Sequence, residues 1–157
     1  MSFQQFRRTL EINAPIEEIW EFISSPVNLK EITPDYMGFN IITKNLPAKM
    51  HEGMIIIYRV SPLFGIKTTW VTEITHIKEN NFFVDEQRVG PYKMWHHQHF
   101  IEQIDNGTLM TDIVSYQLSF GILGSLVNKL IVEKKLNEIF NYRTKAISKR
   151  FAKERFC

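Results

Sequence analysis

The stretch Tyr92–Phe120, YKMWHHQHFIEQIDNGTLMTDIVSYQLSF, decides how the chain folds. Two runs of alternating side chains flank Asp105-Asn106-Gly107-Thr108. Alternation marks a strand with one buried face, and Asn-Gly is a strong hairpin signal. With Asn106 and Gly107 as the central turn residues, Ile101 faces Asp112, His99 faces Val114, His97 faces Tyr116 and Trp95 faces Leu118. These residues share one face, because side chains alternate along a strand. In the second run, Met110, Val114, Tyr116, Leu118 and Phe120 make a more apolar side than Thr111, Ile113, Ser115, Gln117 and Ser119. The first side is expected to point inward. Trp95, His97, His99, Asp112 and Tyr116 then form a polar group in an apolar wall, with His96 outward. A one-residue slip would reverse the faces.

Working outward, Phe3 to Asn13 alternates at Phe6, Arg8, Leu10 and Ile12 and reads as a strand. Asn13-Ala14-Pro15 opens a helix, with Asn13 or Ala14 near the cap and Pro15 in the first turn. Ile16, Ile19, Trp20 and Ile23 form its apolar face, and Asn28 to Ile32 suggests a second short helix. Strands are expected near Met37–Lys44, Met54–Ser61, Ile66–Ile77, Asn81–Val89, Tyr92–Ile104 and Leu109–Phe120. From Gly121 the period becomes helical for about thirty residues, through Leu123, Leu126, Val127, Leu130, Leu136, Ile139, Phe140 and Ile147. Strand, two short helices, six strands and a long helix give an α+β chain. The sheet must bury its apolar face, and the last helix is the one element large enough to cover it. Such an interior is a natural place for a ligand cavity.

The 157 residues fit one domain, 1–157, and 44% are hydrophobic, as in a soluble globular protein. Twelve phenylalanines supply bulk for a tight core or a pocket lining. A net charge of +2 gives no reason to expect nucleic-acid binding. The charge is uneven, however. From Ile122 onward nine Lys or Arg face three Glu, a surplus of six. A solvated helix face accounts for this; a membrane or acidic-partner surface is the sharper alternative. The lone cysteine, Cys157, suits a reducing compartment. No signal-like or transmembrane stretch is evident, so a cytoplasmic location is expected.

Three readings of the polar group stay open. Its members satisfy one another in a partly polar core; or they orient a ligand; or they perform chemistry. For the last, His97 or His99 would be the acid–base group, with Tyr116 and Asp112 orienting it. Two histidines at i, i+2 beside a carboxylate could also bind zinc, but no cysteine assists, and neither metal nor cofactor is assigned. Trp70 is expected in the core or in the cavity wall. Arg143 falls within the apolar stripe of the last helix and is expected to snorkel to solvent rather than pair with Asp112 or Asp85. No phosphate-loop, dinucleotide, nucleophile-elbow or zincin motif is present.

Several short motifs occur in a familiar order. They are Ala14-Pro15-Ile16-Glu17-Glu18-Ile19-Trp20, Thr33-Pro34, Trp70, Phe83-x-Asp85-x-Gln87, Gly90-Pro91-Tyr92, Trp95-x-His97-x-His99, Asp112-x-Val114-x-Tyr116, Phe120-Gly121 and Leu123-Gly124. Over nearly the whole chain the sequence resembles the START-like (SRPBCC) superfamily, in a bacterial branch labelled polyketide cyclase/dehydrase-like. Ile101 and Ser119 depart from the pattern, where an aromatic and a proline are usual. The resemblance implies the helix-grip fold, as in Bet v 1-like proteins, and a deep hydrophobic cavity; it implies no particular reaction. The leading expectation is binding of a lipid, isoprenoid, quinone or aromatic polyketide. Trp70, Trp95, His97, His99, Val114, Tyr116, Leu130 and Phe140 are the expected contacts. The alternatives are a cyclase, dehydratase or hydrolase using His97 or His99, and a docking module built on the basic last helix.

Overall fold

The computed structural model describes residues 3–61, 65–118 and 131–153. Seven antiparallel strands form one sheet in the order β1-β7-β6-β5-β4-β3-β2. The strands are β1 (Gln4–Ile12), β2 (Asn40–Ile41), β3 (Ile55–Val60), β4 (Thr68–Lys78), β5 (Phe82–Val89), β6 (Tyr92–Ile104) and β7 (Gly107–Leu118). Helix α1 (Ile16–Ile23) and two 3-10 turns, Pro26–Lys30 and Asp35–Met37, fill the link between β1 and β2. Helix α2 (Glu133–Lys153) crosses the concave face. This is the helix-grip arrangement. No helix among the described residues is long and apolar enough to cross a membrane.

Sequence and structure agree on most elements and differ at their ends. The strand expected over Met37–Lys44 shrinks to Asn40–Ile41, because a 3-10 turn runs to Met37 and Gly38 follows it at a positive φ of 56°. The second short helix is likewise a 3-10 turn, begun by Pro26. Pro15 stands at the boundary of α1 rather than in its first turn. The expected start of the last helix, including Leu130, lies outside the described residues.

Two bulges, between Val71 and Thr72 and between Ile74 and His76, interrupt the β4–β5 ladder. Bulges bend the strand that carries them, so the sheet wraps toward α2. The stripe Val132, Leu136, Phe140, Ile147 and Phe151 faces the sheet at helical spacing, and each of these is buried. Its C-terminal end joins α1, where Phe151 meets Phe22 edge-on at 5.8 Å. Its N-terminal end packs with Trp70, Tyr92, Val114 and Tyr116.

The β6–β7 register is displaced two places from the expected one. His99 pairs with Asp112, His97 with Val114 and Trp95 with Tyr116. Asp105 and Asn106 occupy the turn, and Ile104 pairs with Gly107. The expected turn needs a positive φ at Asn106, but among the described non-glycine residues only Asn45 and Asn80 have one. The positive φ falls on Gly107, at 140°. A shift of two leaves every side chain on its expected face while changing its partner.

Gly107 also meets the β1–α1 junction. A Cβ there would lie 2.1 Å from the Ile12 carbonyl oxygen and 2.8 Å from Asn13 Cα. Beside it the buried Thr108 hydroxyl donates to the Ala14 carbonyl at 2.9 Å. The hairpin tip is thereby locked to the start of α1. Gly107→Ala combines a backbone clash with an unfavourable φ, and is expected to cost about 2 kcal/mol or more, read as a lower denaturation midpoint.

Candidate functional site

Between the sheet and α2 lies a cavity of about 130 Å³. Among the described residues, aromatic side chains from four strands line it: Tyr58 on β3, Trp70 on β4, Phe83 on β5, and Tyr92 and Trp95 on β6. Leu136, Ile139, Phe140 and Arg143 of α2 form the opposite wall. Trp70 and Trp95 stand edge-on at 5.3 Å, and Tyr92 packs against Trp95 at 4.8 Å. Trp70 thus belongs both to the core and to the cavity wall.

Into this wall the strands set a cluster of charge. His97 and His99 are successive inward residues of β6, with ring centroids 3.7 Å apart. Asp85 of β5 is paired with His97, and Asp112 of β7 with His99. One oxygen, Asp112 Oδ1, lies 2.9 Å from His97 Nε2, 2.9 Å from His99 Nδ1 and 3.1 Å from Arg143 Nη1. On the other side Asp85 Oδ2 lies 2.7 Å from His99 Nε2 and 3.4 Å from His97 Nδ1. Two imidazoles therefore bridge two carboxylates. Phe83 stacks on His99 at 4.0 Å, and Phe140 meets His97 edge-on at 5.7 Å.

Arg143 corrects the expectation that it snorkels to solvent. Its side chain is 11% exposed and ends on Asp112, with its guanidinium over the Phe140 ring at 4.7 Å. A buried carboxylate serving two histidines leaves negative charge for the helix to neutralise, and that attraction outweighs hydration of the arginine.

Burial acts to raise the Asp112 carboxyl, but Arg143 and the two histidines hold it well below the usual carboxylate range. Burial likewise opposes ionisation of Asp85, and His97 and His99 hold it down. Burial and the neighbouring His99 push His97 down to about 4. For His99 burial acts downward too, yet hydrogen bonds to Asp112 and Asp85 raise it overall. One charged histidine, one neutral histidine, one arginine and two carboxylates give a cluster with no net charge. Tyr58, bonded to Thr72 at 2.8 Å, is raised by burial and then by Asp85.

Of the expected site residues, Trp70, Trp95, His97, His99 and Phe140 line the cavity. Asp112 stands behind the histidines and orients them. Val114 and Tyr116 are buried beside this wall, packed with Trp70, Tyr92 and Phe140, but outside the cavity lining. Leu130 lies outside the described residues. His96 does turn away, pairing with Glu86 at 2.9 Å.

The sequence reading missed Asp85 and Tyr58 as cavity residues. The signal for Asp85 was its place two residues beyond the apolar Phe83. Its partner is set by the β5–β6 turn, where the Gln87 side chain donates to the Tyr92 carbonyl at 2.7 Å and accepts the Tyr92 N–H at 3.2 Å. Gly90 leaves room for that amide, since a Cβ would lie 2.3 Å from Gln87 Oε1.

A family model described as polyketide cyclase / dehydrase and lipid transport matches residues 12–138. No curated protein matches the sequence. Among solved structures, TTHA0849 from Thermus thermophilus is 19% identical with a TM-score of 0.69, over 96% of this chain and 99% of that one. Protein NE0264 from Nitrosomonas europaea is 12% identical with a TM-score of 0.70, over 96% of each chain. Ara h 8.0201 is 15% identical with a TM-score of 0.63, over 97% of this chain and 99% of that one. These likenesses establish the fold.

The cluster makes stability depend on pH in both directions. His97, kept neutral, stabilises the fold above the ordinary 6.5, and this is lost as pH falls toward about 4. The lowered carboxylates Asp85 and Asp112 lose their contribution further into acid, below 3.8. His99, kept charged, stabilises below 6.5, and this is lost as pH rises through its raised value. Thermal melts across pH are expected to peak near neutrality. His97→Gln is expected to flatten the limb between 6.5 and 4; an unchanged limb would refute the assignment.

Proposed function

Because the chain belongs to the polyketide cyclase/dehydrase and lipid transport family, we propose that it holds a small hydrophobic molecule between the sheet and α2. The observation that carries this is the 130 Å³ cavity, lined by aromatic rings and bordered by one charge-balanced polar cluster. An apolar cavity of about 150 Å³ is enough for benzene. The volume and the aromatic wall favour a flat ring, as in a quinone or aromatic polyketide, over an extended lipid or isoprenoid chain. Trp70, Trp95 and Phe140 would contact the ring, and His97 and His99 its polar end. Val114 and Tyr116 would support that wall from behind.

Burial of a ring of about 200 Å² at about 25 cal/mol per Å² contributes about 5 kcal/mol. Alone that corresponds to binding no tighter than about 0.2 mM. Useful affinity then depends on polar contacts, and two residues of the lining, Trp70 and Arg143, carry buried nitrogens, Nε1 and Nε, with no hydrogen-bond partner among the described residues. Both are donors, which favours a ligand carrying carbonyl or phenolate oxygens.

A second reading is favoured by His97. A neutral imidazole facing a cavity, with Asp112 behind it, has the placement of a general base, and the burial that lowers it to about 4 makes it a weak one. The reaction would be a cyclisation, dehydration or hydrolysis. The docking role for the basic last helix has less support, because Arg143 turns inward while Lys135 and Arg150 pair with Glu138 and Glu31. A cytoplasmic location is part of the same proposal.

Native mass spectrometry of protein from its own host is the direct test. An adduct of about one to two hundred daltons, the size of a one-ring compound, that is released on denaturation supports the carrier reading. In vitro, tryptophan fluorescence should change saturably with a one-ring phenol or quinone. Ile139→Trp, which fills the cavity from α2, should weaken that binding about tenfold or more, and equal binding by both proteins would sink the proposal.

A further inference from the structure

We infer that Asp85, His97 and His99 form a binding site for a divalent first-row transition ion, of the Zn²⁺ or Fe²⁺ class, in the cavity wall. This goes beyond ligand binding and does not rest on it. It also departs from the sequence reading, which assigned no metal.

The argument is one of aim. Asp112, as a carboxylate, only accepts hydrogen bonds. The nitrogens facing it, His97 Nε2 and His99 Nδ1, are therefore the N–H donors of each ring. That leaves His97 Nδ1 and His99 Nε2 on the opposite side. Both approach the same oxygen, Asp85 Oδ2, at 3.4 and 2.7 Å. The candidate ligand atoms of the three residues all lie within 4.8 Å of one another. In a tetrahedral site with bonds near 2.0–2.1 Å, neighbouring ligand atoms are about 3.4 Å apart. The His97–Asp85 spacing already has this value, and the His99–Asp85 pair needs to open by less than about 1 Å.

The surroundings match as well. Metal-bound histidines donate their other N–H to a carboxylate or carbonyl, which fixes the tautomer and ring direction. Here a single carboxylate does this for both rings and is itself held by Arg143. Stacking on Phe83 and the edge of Phe140 limit ring rotation. Among the described residues, His51 and His76 have no such arrangement; the imidazole of each bonds to its sequence neighbour.

All three ligand residues line the cavity, so the remaining coordination positions would open toward a bound molecule. Two imidazoles and one carboxylate suit Zn²⁺ or Fe²⁺. Asp112 and Arg143 cancel, and the ion displaces the proton that His99 Nε2 donates to Asp85, so a doubly charged ion on Asp85 and two neutral imidazoles leaves one positive charge. That charge favours an anionic oxygen, such as a phenolate, enolate or carboxylate, at the open position.

Untagged full-length protein, stripped with chelator, would be titrated with Co²⁺ as a spectroscopic probe and with Zn²⁺ in thermal melts. The expected result is one Co²⁺ per chain, visible bands of a low-coordinate site, and a higher melting temperature with Zn²⁺. Asp85→Asn keeps the shape and, as loss of a direct ligand, should weaken binding by more than the about 10- to 100-fold that loss of an outer-shell partner costs, as should His99→Gln. Asp112 is a positioning residue, so Asp112→Asn should shift the Co²⁺ bands while keeping the stoichiometry. His76→Ala should change nothing. Absence of saturable binding to the wild-type protein overturns the inference. So does binding that is equal in Asp85→Asn, or that disappears in His76→Ala. None of these results bears on capture of an apolar ligand, which the phenol titration without metal reads separately.

Discussion

The whole arrangement depends on burying one carboxylate. Asp112 sits on β7, between β1 and β6, with 3% of its side chain exposed, where an isolated charge would be too costly to keep. Everything around it answers that cost. His97 and His99 come from the neighbouring strand, and Arg143 comes across the interior from α2. The arginine ties helix to sheet at the point where the cavity would otherwise separate them. The cavity and the buried charge are thus two aspects of one constraint: where α2 borders the cavity, Arg143 must reach the sheet, beside Phe140 on Phe6 and Asn137 on Arg8.

Much of the fold was readable because it follows from periodicity. Alternation located six of the seven strands well, and the three-and-four spacing located α2. The shortest strand was overextended, since Gly38 ends a turn that periodicity does not register. The hairpin is more instructive. Its faces were right although its register was two residues off. Face follows from the parity of the pattern, whereas partner follows from the backbone angles of the turn. Asn-Gly suggested one turn, while the close passage of Ile12 and Asn13 over Gly107 accompanies another.

The site was legible in the same partial way. His97, His99 and Asp112 stood out as polar residues on an apolar face. Asp85 did not, because its meeting with His97 depends on a turn held by the Gln87 amide, a side-chain contact between separate strands. Arg143 was noticed but misjudged. Its position in the helix stripe gave its direction, and the attraction of Asp112 decided that it stays there. Long-range charge pairing is invisible to a reading made one segment at a time.

The sharing of Asp112 Oδ1 among three donors has an evolutionary consequence. Replacing His97, His99 or Arg143 singly alters the balance for the remaining donors, so substitutions there are not independent. Descendants of this chain should keep the group intact or exchange several of its members together, while the apolar lining can drift one residue at a time. Relatives could thereby change what they hold without disturbing how the helix is fastened. The fastening would then be inherited as a single character.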